Sequence, residues 1–283
     1  MNMRSFLAGL AWLLLMATTS QGETSLERGR YLMNSIVACG NCHTPQTPEG
    51  PVPGRELTGQ LVIKTEAFTA YAPNITPDVE TGIGSWSDAQ IITAIRNGRR
   101  PEGTIIGPPM PFEFYRDMSD NDVRAIVAYL RSVPAVKNTV PRSAFYIPLP
   151  ESYGPPVTRV DDVSPGDPVR YGAYLTGALG HCWACHTPLV KGQLDFETQF
   201  GAGGQVLEGP WGVAVTANIT PHEDGIRDYS DHNIMQAITR GVRPDGSSLS
   251  PPMGYYYYRN IKQPDLAAIV AYMRTVEPKP SPE

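Results

Sequence analysis

The sequence has few histidines, no concentrated positive charge and, after its first residues, no long apolar run. Its net formal charge is −5 at pH 7, and no block of lysine and arginine stands out. It therefore lacks the electrostatic footprint of a nucleic-acid-binding protein. A membrane-spanning helix needs about 20 consecutive apolar residues, and none occurs beyond residue 16. We predict no membrane span in the mature chain, and the proline-rich tail over 278–283 is too polar for an amphipathic anchor.

The N-terminus has the features of an export signal. Arg4 supplies a positive charge, residues 6–16 are apolar, and small and polar residues follow up to Gly22. These three regions in this order are typical of a cleaved signal peptide, and the apolar stretch is shorter than a membrane span. We predict a signal peptide over 1–22 and a periplasmic mature protein. An uncleaved N-terminal anchor is the alternative.

The chain has only four cysteines, and all of them lie in two pentapeptides of the form Cys-x-x-Cys-His. Residues 39–43 read CGNCH, and residues 182–186 read CWACH. This run is the attachment signature of a c-type haem. Two cysteines three residues apart lie on one face of a helical turn, so that their sulfurs can reach the two vinyl groups on one porphyrin edge. The histidine that follows is then turned toward the iron.

The pentapeptides predict two covalently bound haem c groups. The thioether cysteines are Cys39 and Cys42 in the first half and Cys182 and Cys185 in the second, and the proximal ligands are His43 and His186. Two disulfides, a thiol redox site and a metal-binding structural or sensor module are the alternatives. Zinc sites usually place their cysteine pairs about 15–20 residues apart, whereas these pairs are 143 residues apart.

The chain is an internal duplication with the same 143-residue offset as the cysteines. The matched segments are 86–98 with 229–241, 108–110 with 251–253, and 122–131 with 265–274, while Asn-Ile-Thr-Pro at 74–77 returns one residue later at 218–221. Each copy predicts a helix before the haem motif, a middle helix and a last helix. The segments between them are rich in glycine and proline, and no alternating strand pattern appears. The sequence therefore predicts an all-α fold.

Serine caps mark the predicted helix starts in the first copy. The middle helix begins at Ser87, with Gln90 completing a capping box, and Gly98 follows as its C-terminal cap. The last helix begins near Ser119, with Asp122 as the box partner. The predicted domains cover 23–133 and 169–277, joined by a linker over 134–168 that contains eight prolines.

The repeat also selects one methionine in each half. Met110 and Met253 occupy matched positions, and both follow a Pro-Pro pair. Prolines restrict the backbone, so a loop that contains them can hold a methionine thioether in place without a large loss of conformational entropy on binding. In addition, His/Met is a known ligand set of c-type haem. We predict that His43 and Met110 bind one iron and that His186 and Met253 bind the other. Methionines that only fill gaps in the loop are the alternative.

The sequence gives weaker evidence of a function for the other histidines and for two recurring asparagines. The three remaining histidines, His181, His222 and His232, have no histidine at the matched position of the other half. We interpret them as residues that lie on the surface or that contact a ligand side chain and not the iron. Asn74 and Asn218 recur, and for them hydrogen bonds to haem propionates and an Asx-turn are equally good interpretations. An aromatic cluster follows each of the two methionines, and packing around the haem is its simplest use.

With these residues the chain resembles the class I c-type cytochromes in a tandem two-haem form, over nearly all of 25–277. The stretches NITPD at 74–78, GIGSWS at 82–87, PPMPF at 108–112 and AIVAYLRSVP at 125–134 are similar to the cytochrome subunits of bacterial alcohol, aldehyde and gluconate dehydrogenases. The resemblance implies two tandem cytochrome c-like domains. In that family the cytochrome takes electrons from a catalytic subunit and passes them to ubiquinone or a terminal oxidase. Those subunits often carry three haem motifs, whereas this sequence has two.

We therefore expect an exported dihaem electron carrier that is not itself an enzyme. Its expected donor is a periplasmic dehydrogenase subunit, and its expected acceptor is a cytochrome, an oxidase or a quinone pathway towards the respiratory chain. A dihaem peroxidase-type enzyme is the alternative. That chemistry needs one haem with an open position and polar groups beside it, whereas the two halves of this sequence are alike.

Overall fold

The computed structural model of the chain describes residues 23–47, 50–209 and 212–282. The predicted signal peptide over 1–22 lies outside the described residues. The helices of the first half are α1 Ser25–Met33, α2 Gly40–His43, α3 Asp88–Asn97, α4 Phe112–Tyr115 and α5 Asp120–Ser132. Those of the second half are α6 Pro168–Tyr174, followed by a π-helical turn Leu175–Leu179, α7 Cys182–His186, α8 Asp231–Arg240, α9 Tyr255–Tyr258 and α10 Gln263–Met273.

The middle helix of the first half has the boundaries that the sequence predicts. The Ser87 hydroxyl accepts from the backbone N–H of Gln90, and the Gln90 side chain accepts from the backbone N–H of Ser87. Gly98 ends the helix in the left-handed conformation, with φ 60°. Both caps of α3 are thereby confirmed.

The prediction of an all-α fold is wrong, because short antiparallel strands occupy the loops. In the part of the chain that the structure describes, the strands are β1 Gln46–Thr47, β2 Gly50–Pro51, β3 Gln60–Lys64, β4 Phe68–Ala72, β5 Ala144–Phe145, β6 Leu189–Val190, β7 Gln193–Leu194, β8 Val206–Gly209 and β9 Gly212–Val215. Strands of two to five residues are too short to show alternation. In addition, the β3–β4 register shifts between Leu61 and Ile63, which breaks the pattern further.

The segment predicted as a linker, 134–168, packs along the first half. Its strand β5 adds to the edge of β4, with Phe145 opposite Phe68 and Ala144 opposite Thr69. The ring of Phe145 lies against Gly107, where a Cβ atom would approach it to 2.4 Å. The segment therefore contributes to the first half as well as joining the two halves.

The helix before each haem motif crosses the last helix of its own half at a glycine. α1 packs against α5 and α6 against α10. A Cβ at Gly29 would lie 1.9 Å from the carbonyl oxygen of Ala125, and one at the matched Gly172 would lie 2.0 Å from that of Ala268. Only glycine permits backbones to approach this closely.

We expect Gly29→Ala and Gly172→Ala each to lower the free energy of unfolding by about 1–3 kcal/mol, because the added methyl must push two helix backbones apart. Urea unfolding measures the loss. Gly177→Ala is the matched control, since a Cβ there meets no atom within 4 Å. It should be neutral or slightly stabilising, because alanine favours a helix over glycine. Equal stabilities of all three variants would contradict the close approach.

The two halves meet through a pair of equivalent contacts that we call the Tyr–Asp interface. The Tyr31 hydroxyl donates to Asp265 Oδ2 at 2.5 Å, and the matched Tyr174 hydroxyl donates to Asp122 Oδ2 at 2.7 Å. Each hydroxyl also accepts a backbone N–H of the other half, from Lys262 and Ser119 respectively. The buried apolar residues of both halves form one contiguous core around these contacts.

Asp122 does not complete the predicted capping box of α5. Its backbone N–H donates to the Ser119 hydroxyl, as expected, but its carboxylate turns away from Ser119. It instead accepts from Tyr174 and from the guanidinium of Arg28. One of the two hydrogen bonds of the predicted capping box is therefore present. The other is absent because the carboxylate of Asp122 takes part in the Tyr–Asp interface. None of the helices within the described ranges is both long enough and apolar enough to cross a membrane.

Candidate functional site

A cavity of about 440 Å³ lies in the first half of the chain, and the predicted site residues meet in its walls. Cys39, Cys42, His43 and Met110 all line it. The opposite walls are mostly apolar, with Ile75, Ile83, Trp86, Ile91, Ile126 and Leu130. This volume and lining are typical of a ligand pocket. Four of the predicted site residues, which are far apart in the sequence, therefore lie around one cavity.

His43 is held in a defined orientation at the end of α2. Its Nδ1 lies 2.8 Å from the carbonyl oxygen of Pro73, and the residue is only 8% exposed. Such a contact fixes the ring and leaves Nε2 directed away from it, which is how metal-binding histidines are usually oriented. Burial lowers the pKa of His43. The neutral imidazole is the form that binds metal.

The second half reproduces this arrangement at its histidine. Nδ1 of His186, at the end of α7, lies 2.7 Å from the carbonyl oxygen of Ala217, and burial lowers the pKa of this imidazole too. Met253 lines a groove together with Pro251, Pro252 and Cys42 of the first half. His186 is not among the described residues of that groove. The pairing of His186 with Met253 therefore depends on its correspondence with the first site.

The four cysteines are free thiols in the structure. Burial raises the pKa of Cys39 and of Cys182 to about 12, and that of Cys42 to about 11. Reactive cysteines of redox enzymes have lowered pKa values in electropositive surroundings. Burial shifts the pKa values of these thiols in the other direction, which argues against a thiol redox site.

The two recurring asparagines stabilise loops. Asn74 Oδ1 accepts from the backbone N–H and the hydroxyl of Thr76, at 3.0 and 2.8 Å, and its Nδ2 donates to the carbonyl of Val136. Asn218 makes the matched contacts, including a donation to the carbonyl of Lys279 at 2.7 Å. Of the two sequence interpretations, the Asx-turn accounts for these amides.

Sequence reasoning gave no role in the first site to three residues that line its cavity, namely Arg100, Arg142 of the linker segment and His181 of the second half. Tyr258, from the aromatic cluster that follows Met253, lines the cavity as well. The repeat could have identified Arg100, since Arg243 stands at its matched position. Arg142 and His181 have no arginine or histidine at a matched position, so the repeat gives no signal for them.

Known protein families match the two halves separately. The family described as "Cytochrome C oxidase, cbb3-type, subunit III" matches residues 24–130, and the family described as "Cytochrome c" matches residues 171–277. Each match contains one Cys-x-x-Cys-His motif and one Pro-Pro-Met segment. The two families together thus cover both predicted sites.

Curated relatives match along most of the chain. The fructose dehydrogenase cytochrome subunit of Gluconobacter japonicus is 29% identical over 92% of this chain and 54% of that protein. The alcohol dehydrogenase (quinone) cytochrome c subunit of Gluconobacter oxydans is 29% identical over 91% of this chain and 56% of that protein. A "Diheme cytochrome c-type" protein of Cereibacter sphaeroides is 29% identical over 84% of this chain and 81% of its own length. The chain thus spans about half the length of the first two relatives.

Proposed function

We propose that this chain is a dihaem electron carrier with one covalently bound haem c in each half, since a cytochrome family model matches each half. The observation that carries the proposal is the first cavity, whose walls unite two cysteines, a histidine and a methionine. The relatives named as cytochrome c subunits of dehydrogenases support an electron-transfer role without catalysis by this chain itself. The proposed domains are 23–133 and 169–277.

Each side chain of the first site has a distinct task. Cys39 and Cys42 would attach the porphyrin covalently. His43, oriented by the Pro73 carbonyl, would supply an imidazole nitrogen to the iron, and Met110 would supply a thioether sulfur. Bound haem supplies an iron that gains and loses one electron, and the methionine favours its reduced state. The apolar walls keep water away, which disfavours the more highly charged oxidised state.

The second half uses its matched residues in the same way. Cys182 and Cys185 attach the second porphyrin, while His186 and Met253 are the proposed iron ligands. The two attachment motifs lie close to each other. Burial and the neighbouring thiols of Cys182, Cys185 and Cys42 raise the pKa of Tyr258 well above its ordinary value. One side chain thus adjoins both motifs, which supports electron transfer between the two haems.

The proposed setting is a respiratory chain outside the cytoplasm. The predicted signal peptide over 1–22 would export the protein to the periplasm, where c-type haems are attached. Among the relatives are cytochrome c subunits of fructose, alcohol and gluconate dehydrogenases. By analogy, we propose a dehydrogenase subunit as the electron donor, and a cytochrome, an oxidase or a quinone pathway as the acceptor.

Haem content tests this proposal. We expect protein from a host that matures c-type cytochromes to contain two haems per chain in the pyridine haemochrome assay and two irons by metal analysis. A Cys39→Ala, Cys42→Ala variant should keep one haem, and so should the matched Cys182→Ala, Cys185→Ala variant. Zinc without haem would contradict the proposal. Peroxide turnover, with carbon monoxide binding at one haem of the unmodified protein, would favour the peroxidase alternative.

A further inference from the structure

His181 belongs to the second half of the chain but lines the cavity of the first. It directly precedes Cys182, the first cysteine of the second attachment motif. Its side chain forms part of the same cavity wall as Cys39 and Met110. One residue therefore adjoins both proposed haem sites, and the function proposed above gives it no role.

The ring of His181 is held by an aromatic contact across the two halves. It packs edge-on against the ring of Tyr115, with 5.7 Å between the ring centroids, which is a favourable aromatic geometry. Tyr115 is only 3% exposed, and burial together with the thiols of Cys39 and Cys42 raises its pKa well above the ordinary value. The contact therefore fixes the imidazole next to the first attachment motif.

The backbone at this position does not require a histidine. His181 has φ 40°, and the matched residue of the first half, Ala38, has φ 49°. Each motif is thus directly preceded by a residue in the left-handed region, where residues other than glycine are uncommon. Alanine adopts this conformation at 38, so the imidazole at 181 is not needed for the turn. The two matched positions therefore differ in their side chains, a methyl group at 38 and an imidazole at 181.

The chemistry of the ring suits a site between two redox centres. Burial lowers the pKa of His181 to about 4, so the imidazole is neutral at pH 7. A neutral ring can pack against an apolar surface, and its edge still carries one donor and one acceptor. It occupies space that water would otherwise enter and adds no charge there.

We propose that His181 couples the two haem sites. It belongs to the second half but lines the first cavity, so its imidazole would contact a haem bound there and keep water out of the space between the two attachment motifs. The proposal rests on the dihaem function proposed above. The transfer that it assists moves one electron from a ferrous iron to a ferric iron, and no bond forms or breaks. Since water in this space would favour the ferric state, its exclusion by His181 also raises the potential of the first haem.

The test compares His181→Ala with the unmodified full-length holoprotein. An optical redox titration gives the two haem potentials, and flash reduction gives the rate of transfer between the haems. We expect the first haem to shift about tenfold towards the ferric state, equivalent to about 60 mV for one electron. The transfer rate should fall by a similar factor. The Met110→Leu and Met253→Leu variants show which potential belongs to which haem, because each substitution should shift the potential of one haem only.

Two further variants keep the test decisive. His222→Ala removes an imidazole whose Nδ1 accepts from the backbone N–H of Asp224 at 3.2 Å, and it should leave both quantities unchanged. His181→Asn suits the left-handed backbone and should give an intermediate shift, and it decides the question if the alanine variant takes up no haem. Unchanged potentials and an unchanged rate in a variant with two haems would overturn the proposal. Fewer than two haems in the unmodified protein would instead overturn the dihaem function.

Discussion

Met110→Leu should leave the first haem iron without its sixth ligand and lower its reduction potential, while the second haem keeps its properties. Leucine has nearly the volume of methionine but no sulfur to donate. The thioether stabilises the ferrous state, so its loss should shift the first haem by at least about a hundredfold towards the ferric state, equivalent to about 120 mV. Met253→Leu should have the same effect at the second haem only.

Carbon monoxide binding and redox titration measure this effect. The reduced Met110→Leu protein should bind one equivalent of carbon monoxide, and the unmodified protein should bind none. The matched control is Met118→Leu, since Met118 is fully buried in the core and its counterpart in the second half is Ile261. A volume-conserving change there should cost less than about 1.5 kcal/mol and leave both potentials in place. A six-coordinate first haem in Met110→Leu would exclude Met110 as the ligand.

The features that could be predicted from the sequence are those that the duplication repeats. Met110 stands far from His43 in the chain, yet the matched Pro-Pro-Met segments identified it, and both residues line one cavity. Capping chemistry placed both ends of α3, because Ser87 and Gln90 act on its first turn and Gly98 acts directly after its last turn. Local rules and an internal copy together suffice for such features.

The features that could not be predicted arise where the copies differ or where tertiary contacts override local preference. β3 and β4 pair across a bulge, so neither shows the alternation of a regular strand. Asp122 has the position of a capping-box residue, but Tyr174 and Arg28 bind its carboxylate. His181 has no histidine at the matched position, so the repeat does not indicate it as a site residue. That same lack of a counterpart makes it a residue at which the two sites differ.

Tyr31→Phe should destabilise the protein more than the matched Tyr174→Phe. Both substitutions remove one hydroxyl from the Tyr–Asp interface. Asp122 keeps the Nε and Nη2 donors of Arg28, at 2.8 and 3.0 Å, when Tyr174 loses its hydroxyl. Asp265 is 8% exposed. The residue of the second half that matches Arg28 is Tyr171, which has no guanidinium to donate to this carboxylate. The carboxylate of Asp265 therefore depends on Tyr31.

The expected losses follow from the energetics of buried carboxylates. A hydrogen bond to a charged group contributes about 1.5–3 kcal/mol, and an unsatisfied buried charge costs more. We expect Tyr31→Phe to lower the free energy of unfolding by about 2–4 kcal/mol and Tyr174→Phe by about 1–2 kcal/mol. Denaturant unfolding of the holoprotein measures both. Tyr146→Phe is the control, because Tyr146 is 66% exposed and the change should stay within about 0.5 kcal/mol.

Combining the two substitutions tests whether the interface acts as a unit. Each tyrosine also accepts a backbone N–H from the other half, so the double variant leaves four polar groups with fewer partners where the halves meet. Each tyrosine stands eight residues before the first cysteine of its own haem motif, and a looser interface should slow electron transfer between the haems as well as lower stability. Losses that are simply additive, with an unchanged transfer rate, would show that the Tyr–Asp interface stabilises the fold without setting the separation of the two redox sites.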